Sequence, residues 1–348
     1  MARERIISSG SEGPEEERTN HALRPRLLDE VVGQKQVIDQ LRIALEAAKG
    51  RGEPMEHVLL DGPPGLGKTT LAHVIANEMG TNVRVTSGPA IGKQSDLMTV
   101  LTNLEPGEIL FIDEIHRLAA AVEEFLYPAM EDFRVDYTLE GGLGGRTINF
   151  KLNRFTLIGA TTRAGLLTAA LRDRFGMHFH LDFYKPVELK TILTRSAKML
   201  GVPADEDALE LMADRSRGTP RVANRLLRRA RDYAQVRSNG HLTVKVVGLA
   251  LEILQIDALG LDDLDRAYLR TLIETYECGP VGVEALAAAM GQERDTLEDV
   301  VEPYLLQIGF VLRTRQGRCA SRSACKHMKL PYKPPRAGPE DAPTLFEQ

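Results

Sequence analysis

The feature that most constrains the fold is the run Gly62-Pro63-Pro64-Gly65-Leu66-Gly67-Lys68-Thr69. It satisfies G-x-x-x-x-G-K-[ST], a pattern that background frequencies give in on the order of one chain in a hundred of this length. An apolar run at 57–60 precedes it and a helical stretch at 70–79 follows. Glycines in such a turn let backbone N–H groups close around phosphate oxygens, and the helix N-terminus adds partial positive charge. Lys68 is expected to reach the β- and γ-phosphates, and Thr69 to offer its hydroxyl to Mg²⁺.

Phosphate chemistry of this kind needs a sheet, and the pattern supplies one. Short apolar runs at 58–60, 83–85, 109–112 and 155–158 alternate with helical stretches, the first at 35–49. The expected class is α/β, a parallel sheet covered on both faces. The third run ends in Asp113-Glu114, which puts two acids at the carboxyl edge, where such folds place ligands. Asp113 suits the Mg²⁺ shell, and Glu114 suits activation of the attacking water. The fourth run ends Gly159-Ala160-Thr161-Thr162-Arg163, where a threonine can sit beside the γ-phosphate. Charge spreading over the γ-phosphoryl gains from an arginine, and Arg172, Arg174 and Arg221 are candidates. Position alone does not choose among them.

The chain has 348 residues, so two or three domains are expected. The hydrophobic share of 43% and charged share of 27% exclude a mostly disordered chain and a fibre. No apolar run approaches the roughly 18–20 residues of a membrane span, and the charged segment 1–20 does not read as a signal peptide. A cytoplasmic location and no membrane partner are expected. Cys278, Cys319 and Cys325 are odd in number and widely spaced, against both a zinc site and a disulfide framework. The net charge of −5 argues against indiscriminate nucleic-acid coating but leaves a local basic patch open.

From 134 to 152 apolar residues alternate around Gly141-Gly142-Leu143-Gly144-Gly145, which reads as a β-hairpin inserted between sheet strands. After Pro186 the chain reads as all helix to Leu254. Residues 265–327 then read as three helices and a basic ribbon, a winged helix. Arg313, Arg315, Arg318, Arg322, Lys326, Lys329, Lys333 and Arg336 lie there with no acid between Phe310 and Arg336. Such a ribbon suits phosphate contacts that position without reading sequence. The expected organisation is a tail at 1–20, a large ATPase domain at 21–184, a small helical domain at 185–256, a winged helix at 257–330 and a tail at 331–348.

Together the P-loop, the Asp-Glu strand and the arginine-bearing helical segment resemble an AAA+ ATPase. The strings GPPGLGKTTLA, LFIDEIHRL, LYPAMEDF, GATTRAGLLT, LRDRFG and RSRGTPR are narrower, and with others over about 23–327 they resemble the RuvB family of Holliday-junction branch-migration motors. That resemblance implies adenine-side contacts from Leu23, Arg24 and Tyr184, and phosphate contacts from Gly65, Lys68, Thr69 and Thr70. It implies that Glu131, Asp132 and Phe133 line a nucleotide site and that Thr162 is the strand-end sensor. Arg174 is then the finger entering a neighbouring subunit's site, and Arg221 the second sensor. It further implies a homohexameric ring, ATP with Mg²⁺, and four-way-junction and duplex DNA as partners. It implies RuvA docked through the hairpin and RuvC as a partner in a resolvase complex. The ribbon carries Arg313-Thr314-Arg315-Gln316-Gly317-Arg318 where the family has Arg-Thr-Pro-Arg-Gly-Arg. Arg313 and Arg318 match and are the expected DNA contacts, with Arg315 available to replace the altered charge. Rival readings are another AAA+ machine such as a clamp loader, disfavoured by the winged helix and the hairpin, and a nucleotide-gated DNA-binding regulator, disfavoured by the intact acid pair.

Overall fold

Five parallel strands form the central sheet: β1 (Val58–Asp61), β2 (Val83–Ser87), β3 (Ile109–Asp113), β6 (Thr156–Thr161) and β7 (Met177–His180), in the order β2-β3-β6-β1-β7. The computed structural model describes residues 22–139 and 146–334. The tail at 1–20, the glycine-rich hairpin tip and the C-terminal segment from 335 onward lie outside the described residues. Helices alternate with the strands: α1 (Lys35–Arg51), α2 (Lys68–Met79), α3 (Gln94–Thr102) and α4 (Ala120–Glu131). Parallel strands need such crossovers, and the near-continuous apolar runs of β1, β3 and β6 follow from burial on both faces. Leu97 and Leu101 of α3, Leu126 of α4, and Leu110, Ile112 and Leu157 of the sheet form one core.

The fifth strand, β7, is absent from the sequence reading. Its residues Met177-His178-Phe179-His180 bury only Phe179, as expected of an edge strand, and so lack the apolar run that marks β1, β3 and β6.

Between α4 and β6 the chain forms the hairpin β4 (Arg134–Leu139) and β5 (Arg146–Lys151) as a separate two-stranded antiparallel sheet. Its base is fixed by buried Val135 and Leu152, which join the α3/α4 core. The Leu152 N–H donates to Phe133 O at 2.7 Å.

The chain divides into two compact units. One holds the described residues up to Ile192 with Thr219–Arg221; the other holds Leu193–Gly218 and Val222 onward. Helices α6 (Pro186–Met199), α7 (Glu206–Asp214), α8 (Pro220–Arg237) and α9 (Val244–Ile253) follow α5 (Ala169–Arg172) in the chain. Then come α10 (Asp263–Arg270), α11 (Val283–Met290), α12 (Arg294–Thr296), α13 (Glu302–Gln307), β8 (Val311–Thr314), β9 (Gly317–Ala320) and α14 (Arg322–Met328). The last helix, α14, stands where the sequence pattern gives only a ribbon; the Ser321 side chain caps it by accepting from Ala324 N. Tyr268, Leu272, Leu286, Leu297, Leu305 and Val311 form the winged-helix core.

Inside the second unit, an ion pair joins the helical segment to the winged helix. Arg217 NH1 donates to Asp265 Oδ2 at 2.9 Å, and the guanidinium lies 4.8 Å from the Tyr304 ring centroid. Both charged side chains are buried, and burial pushes the Asp265 carboxyl up to about 7 against the opposing pull of Arg217. Desolvation offsets much of the pairing energy in such a pair.

Candidate functional site

The phosphate-binding loop leaves β1 at Asp61 and enters α2 at Lys68. Two glycines are required by geometry. Gly62 has φ +133°, and a Cβ there would meet Leu181 O at 2.5 Å. Gly67 caps α2 at φ +103°, a left-handed turn that frees the first helical N–H groups toward the loop. Lys68 is buried and folds over the loop, its Nζ donating to Gly62 O at 2.7 Å and Pro63 O at 2.9 Å. Its charge is thereby held at the mouth of the loop, where phosphate oxygens would be stronger, charge-assisted acceptors. Thr69 and Thr70 follow in the first turn of α2, half-buried.

The second part of the site comes from the ends of β3 and β6. Asp113 ends β3, and its Oδ1 accepts the Glu114 N–H at 2.9 Å. Glu114 has φ +48°, an uncommon left-handed conformation for a residue with a Cβ, which turns the chain sharply away from the sheet edge. Its Oε2 lies 3.2 Å from Arg117 NH1, with both side chains about half exposed. Such a pair is worth little in water and does not lock the carboxylate away. At the end of β6, Thr161 is buried and its hydroxyl meets His116 Nδ1 at 2.9 Å. Thr162, the expected sensor, is the half-buried residue after it. The contact of His116 with Thr161 links the acid-pair turn to the end of β6.

Long-range packing brings two further residues to the loop. Tyr184 is buried, its hydroxyl donates to Leu66 O at 3.2 Å, and burial pushes its phenol up to about 12. A Cβ on Gly33 would meet the same ring at 2.9 Å, so Gly33 is what lets Tyr184 pack there. The Arg221 N–H donates to Gly65 O at 3.4 Å, which sets the second-sensor candidate against the loop backbone. Leu23 is buried and Arg24 half-buried. The residues after them are tied to α2, with Asn77 Nδ2 donating to Arg26 O at 3.0 Å and Leu28 N–H donating to Glu78 Oε1 at 3.1 Å.

Four candidates lie elsewhere. His57, just before β1, marks the amino edge of the sheet, and its Nε2 meets Met130 O at 3.0 Å. The last turn of α4 is therefore at that edge, and Glu131, Asp132 and Phe133 with it. Arg174 precedes β7, whose first residue Met177 pairs with Val58, the first of β1. Arg174 is accordingly also at the amino edge, with its Nε 3.2 Å from Glu131 Oε1. Asp132 pairs with Arg134 at 3.1 Å, and the Phe133 ring packs edge-on to Phe155 at 5.8 Å. The loop opens at the carboxyl edge, roughly 16 Å from His57 along the strand at the usual rise per residue. An arginine side chain does not span that distance within one subunit.

The ribbon presents Arg313 and Arg318 directly across from each other on β8 and β9. Like charges so placed repel. Glu302, fully buried, takes one on each oxygen: Arg313 Nε donates to Oε2 at 2.9 Å and Arg318 Nε donates to Oε1 at 3.0 Å. Arg318 also donates to Glu298 at 2.8 Å, and its side chain is only 16% exposed, against 48% for Arg313. Arg315, at the turn, is exposed.

Among the described residues no helix is long and apolar enough to cross a membrane, and no cluster of His, Cys, Asp or Glu has metal-binding geometry.

Comparison with known proteins gives three family matches in series. The Holliday junction DNA helicase RuvB P-loop domain matches residues 23–181, the RuvB AAA lid domain 184–257, and the RuvB C-terminal winged helix domain 258–329. The Holliday junction branch migration complex subunit RuvB of Dehalococcoides mccartyi is 56% identical over 330 residues, 95% of this chain and 94% of that one. Its counterpart in Kosmotoga olearia is 58% identical over 315 residues, 90% of this chain and 92% of that one. The solved RuvB branch migration motor of Thermotoga maritima superposes with a TM-score of 0.83 at 52% identity, covering 90% of this chain and 100% of that one.

Proposed function

Since the chain belongs to the RuvB family, we propose that ATP hydrolysis at its loop and acid pair drives it along duplex DNA and so moves four-way junctions in recombination and repair. The observation that carries the mechanism is the separation of Arg174 from the loop, at opposite edges of one sheet. A complete site then needs two copies, and a closed ring of identical head-to-tail contacts supplies one finger to every site. The proposed ring is a homohexamer, and Glu131, Asp132 and Phe133, beside Arg174, border the neighbour's nucleotide.

Within one site the chain's own groups divide the work. The loop N–H groups and Lys68 bind the β- and γ-phosphates of ATP, with Gly65 and Thr70 beside them. Thr69 and Asp113 offer only oxygen donors, the set that suits Mg²⁺, which when bound neutralises phosphate charge. Glu114 orients the attacking water and takes its proton. Thr162 and Arg221 sense the γ-phosphate, and Leu23, Arg24 and Tyr184 hold the adenine side. The neighbour's Arg174 meets charge that develops on the transferring phosphoryl group, so it favours the transition state over bound ATP.

The proposed division of the chain is ATPase domain 21–184, helical lid 185–256 and winged helix 257–330. Arg313 and Arg318 are the proposed DNA contacts, and the hairpin β4–β5 is the proposed seat of RuvA, with RuvC as a further member of the complex. The proposed compartment is the cytoplasm.

Subunit mixing tests the shared site. Arg174→Ala chains keep their own acids but lack a finger; Glu114→Gln chains keep the finger but lack the base. Each alone should hydrolyse ATP poorly on duplex DNA. Mixed in one pool, they should exceed the sum of the separate rates, because some Arg174→Ala sites receive an intact finger. A mixture that stays at the sum contradicts a site shared between subunits.

A further inference from the structure

Arg174 is not free on the surface. Its NH1 donates to Ala170 O at 2.6 Å, and its guanidinium carbon lies 4.1 Å from the centroid of the Tyr127 ring. The Nε–H is buried and has no acceptor aligned to it, although Glu131 Oε1 is within ion-pair range. The ring face is therefore the principal surface against which the cation is laid.

The ring is itself fixed. Tyr127 hydroxyl donates to Glu123 Oε1 at 2.6 Å. Glu123 is buried, and the same oxygen accepts the Thr168 hydroxyl. Thr168 caps α5, the helix that leads to Arg174, by accepting the Leu171 N–H at 3.1 Å. One buried carboxylate thus sets both the platform and the root of the residue lying on it. Burial and the bond to Glu123 hold the phenol above its usual range, so the donor stays protonated.

We propose that Tyr127 is the positioning residue of the arginine finger: its ring holds the Arg174 guanidinium in one orientation for the neighbour's γ-phosphate. The inference rests on the reading of Arg174 as that finger. A long side chain that searches many rotamers loses freedom when the transition state forms; one already laid on a rigid ring loses less. The benefit is confined to the charge-stabilising step, so kcat should change and the KM for ATP should not.

The test is a double-substitution cycle on the full-length chain with duplex DNA, reading steady-state ATP hydrolysis. Tyr127→Leu keeps bulk but removes the ring and should lower kcat about ten-fold with KM unchanged. Tyr127→Phe keeps the ring and should restore kcat to within about two-fold of wild type. In the Arg174→Ala background, Tyr127→Leu should cause no further loss. If Arg174→Ala is impaired while Tyr127→Leu matches wild type, or if the two losses multiply, the positioning role is overturned and the finger survives. If Arg174→Ala hydrolyses ATP as wild type does, the finger reading fails and this inference falls with it.

Discussion

At the residue scale, the groups that could be read directly are those whose roles are written in local spacing. Lys68 and Thr69 follow from the glycine pattern, and Asp113 with Glu114 from an apolar run ending in two acids. Tyr184 was reachable only through family resemblance, and Arg221, one of three candidate arginines on chemistry alone, was singled out only by it, because their contacts with Leu66 and Gly65 are made across more than a hundred residues of chain. Tyr127 carried no signal at all: on an amphipathic helix it reads as one more core position. His57 is similar, yet it is fully committed. Its Nδ1 accepts the Leu157 N–H at 2.9 Å, which leaves Nε2–H to donate to Met130 O. Burial holds its pKa below the usual 6.5. A lowered folded-state pKa means the unfolded chain binds the proton more readily. The contribution of the neutral ring is then complete above about pH 6.5 and is lost as pH falls through the lowered value. Denaturant unfolding followed from about pH 7.5 to about pH 5.5 should show stability falling, and His57→Gln should remove part of that slope while lowering stability at neutral pH. A wild type and variant with parallel pH profiles would contradict a buried neutral histidine.

Elements were legible where their pattern is regular. The strands buried on both faces and the long amphipathic helices stand out, and the hairpin was visible from its alternation and glycine centre. Edge strand β7 and terminal helix α14 were not, because each is short and half-exposed and owes its place to neighbours. The ribbon shows the same limit. Its basic run reads as a row of equivalent phosphate contacts, but the buried Glu302 sorts them. Arg318 is anchored to Glu302 and Glu298, Arg313 shares Glu302 while staying half-exposed, and Arg315 faces solvent at the turn. Arg318→Ala should therefore destabilise the winged helix by about 2 kcal/mol, since it removes charge-assisted bonds to a buried carboxylate. Arg315→Ala should leave stability alone and reduce the slope of log affinity for duplex DNA against log salt by about 0.9. Urea unfolding and salt titration of DNA binding read these two effects; an equal loss of stability from both substitutions would contradict the sorting.

At the scale of the whole molecule, one polypeptide carries a P-loop ATPase, a helical lid and a winged helix in series. The proposed finger, Arg174, lies at the opposite edge of the sheet from its own loop. Under the proposed reading of Arg174, hydrolysis is a property of neighbouring subunits. The buried Arg217–Asp265 pair ties the helical segment to the winged helix within one compact unit. In the proposed function, ATP hydrolysis at Glu114 is coupled to movement of a DNA junction. The most direct measurement is ATP-driven dissociation of a synthetic four-way junction into duplex products, with RuvA from the same source, comparing wild type with Glu114→Gln. Wild type should dissociate the junction, and Glu114→Gln should bind ATP and DNA yet leave the junction intact. Steady ATP hydrolysis by the wild type with the junction unmoved would contradict the account.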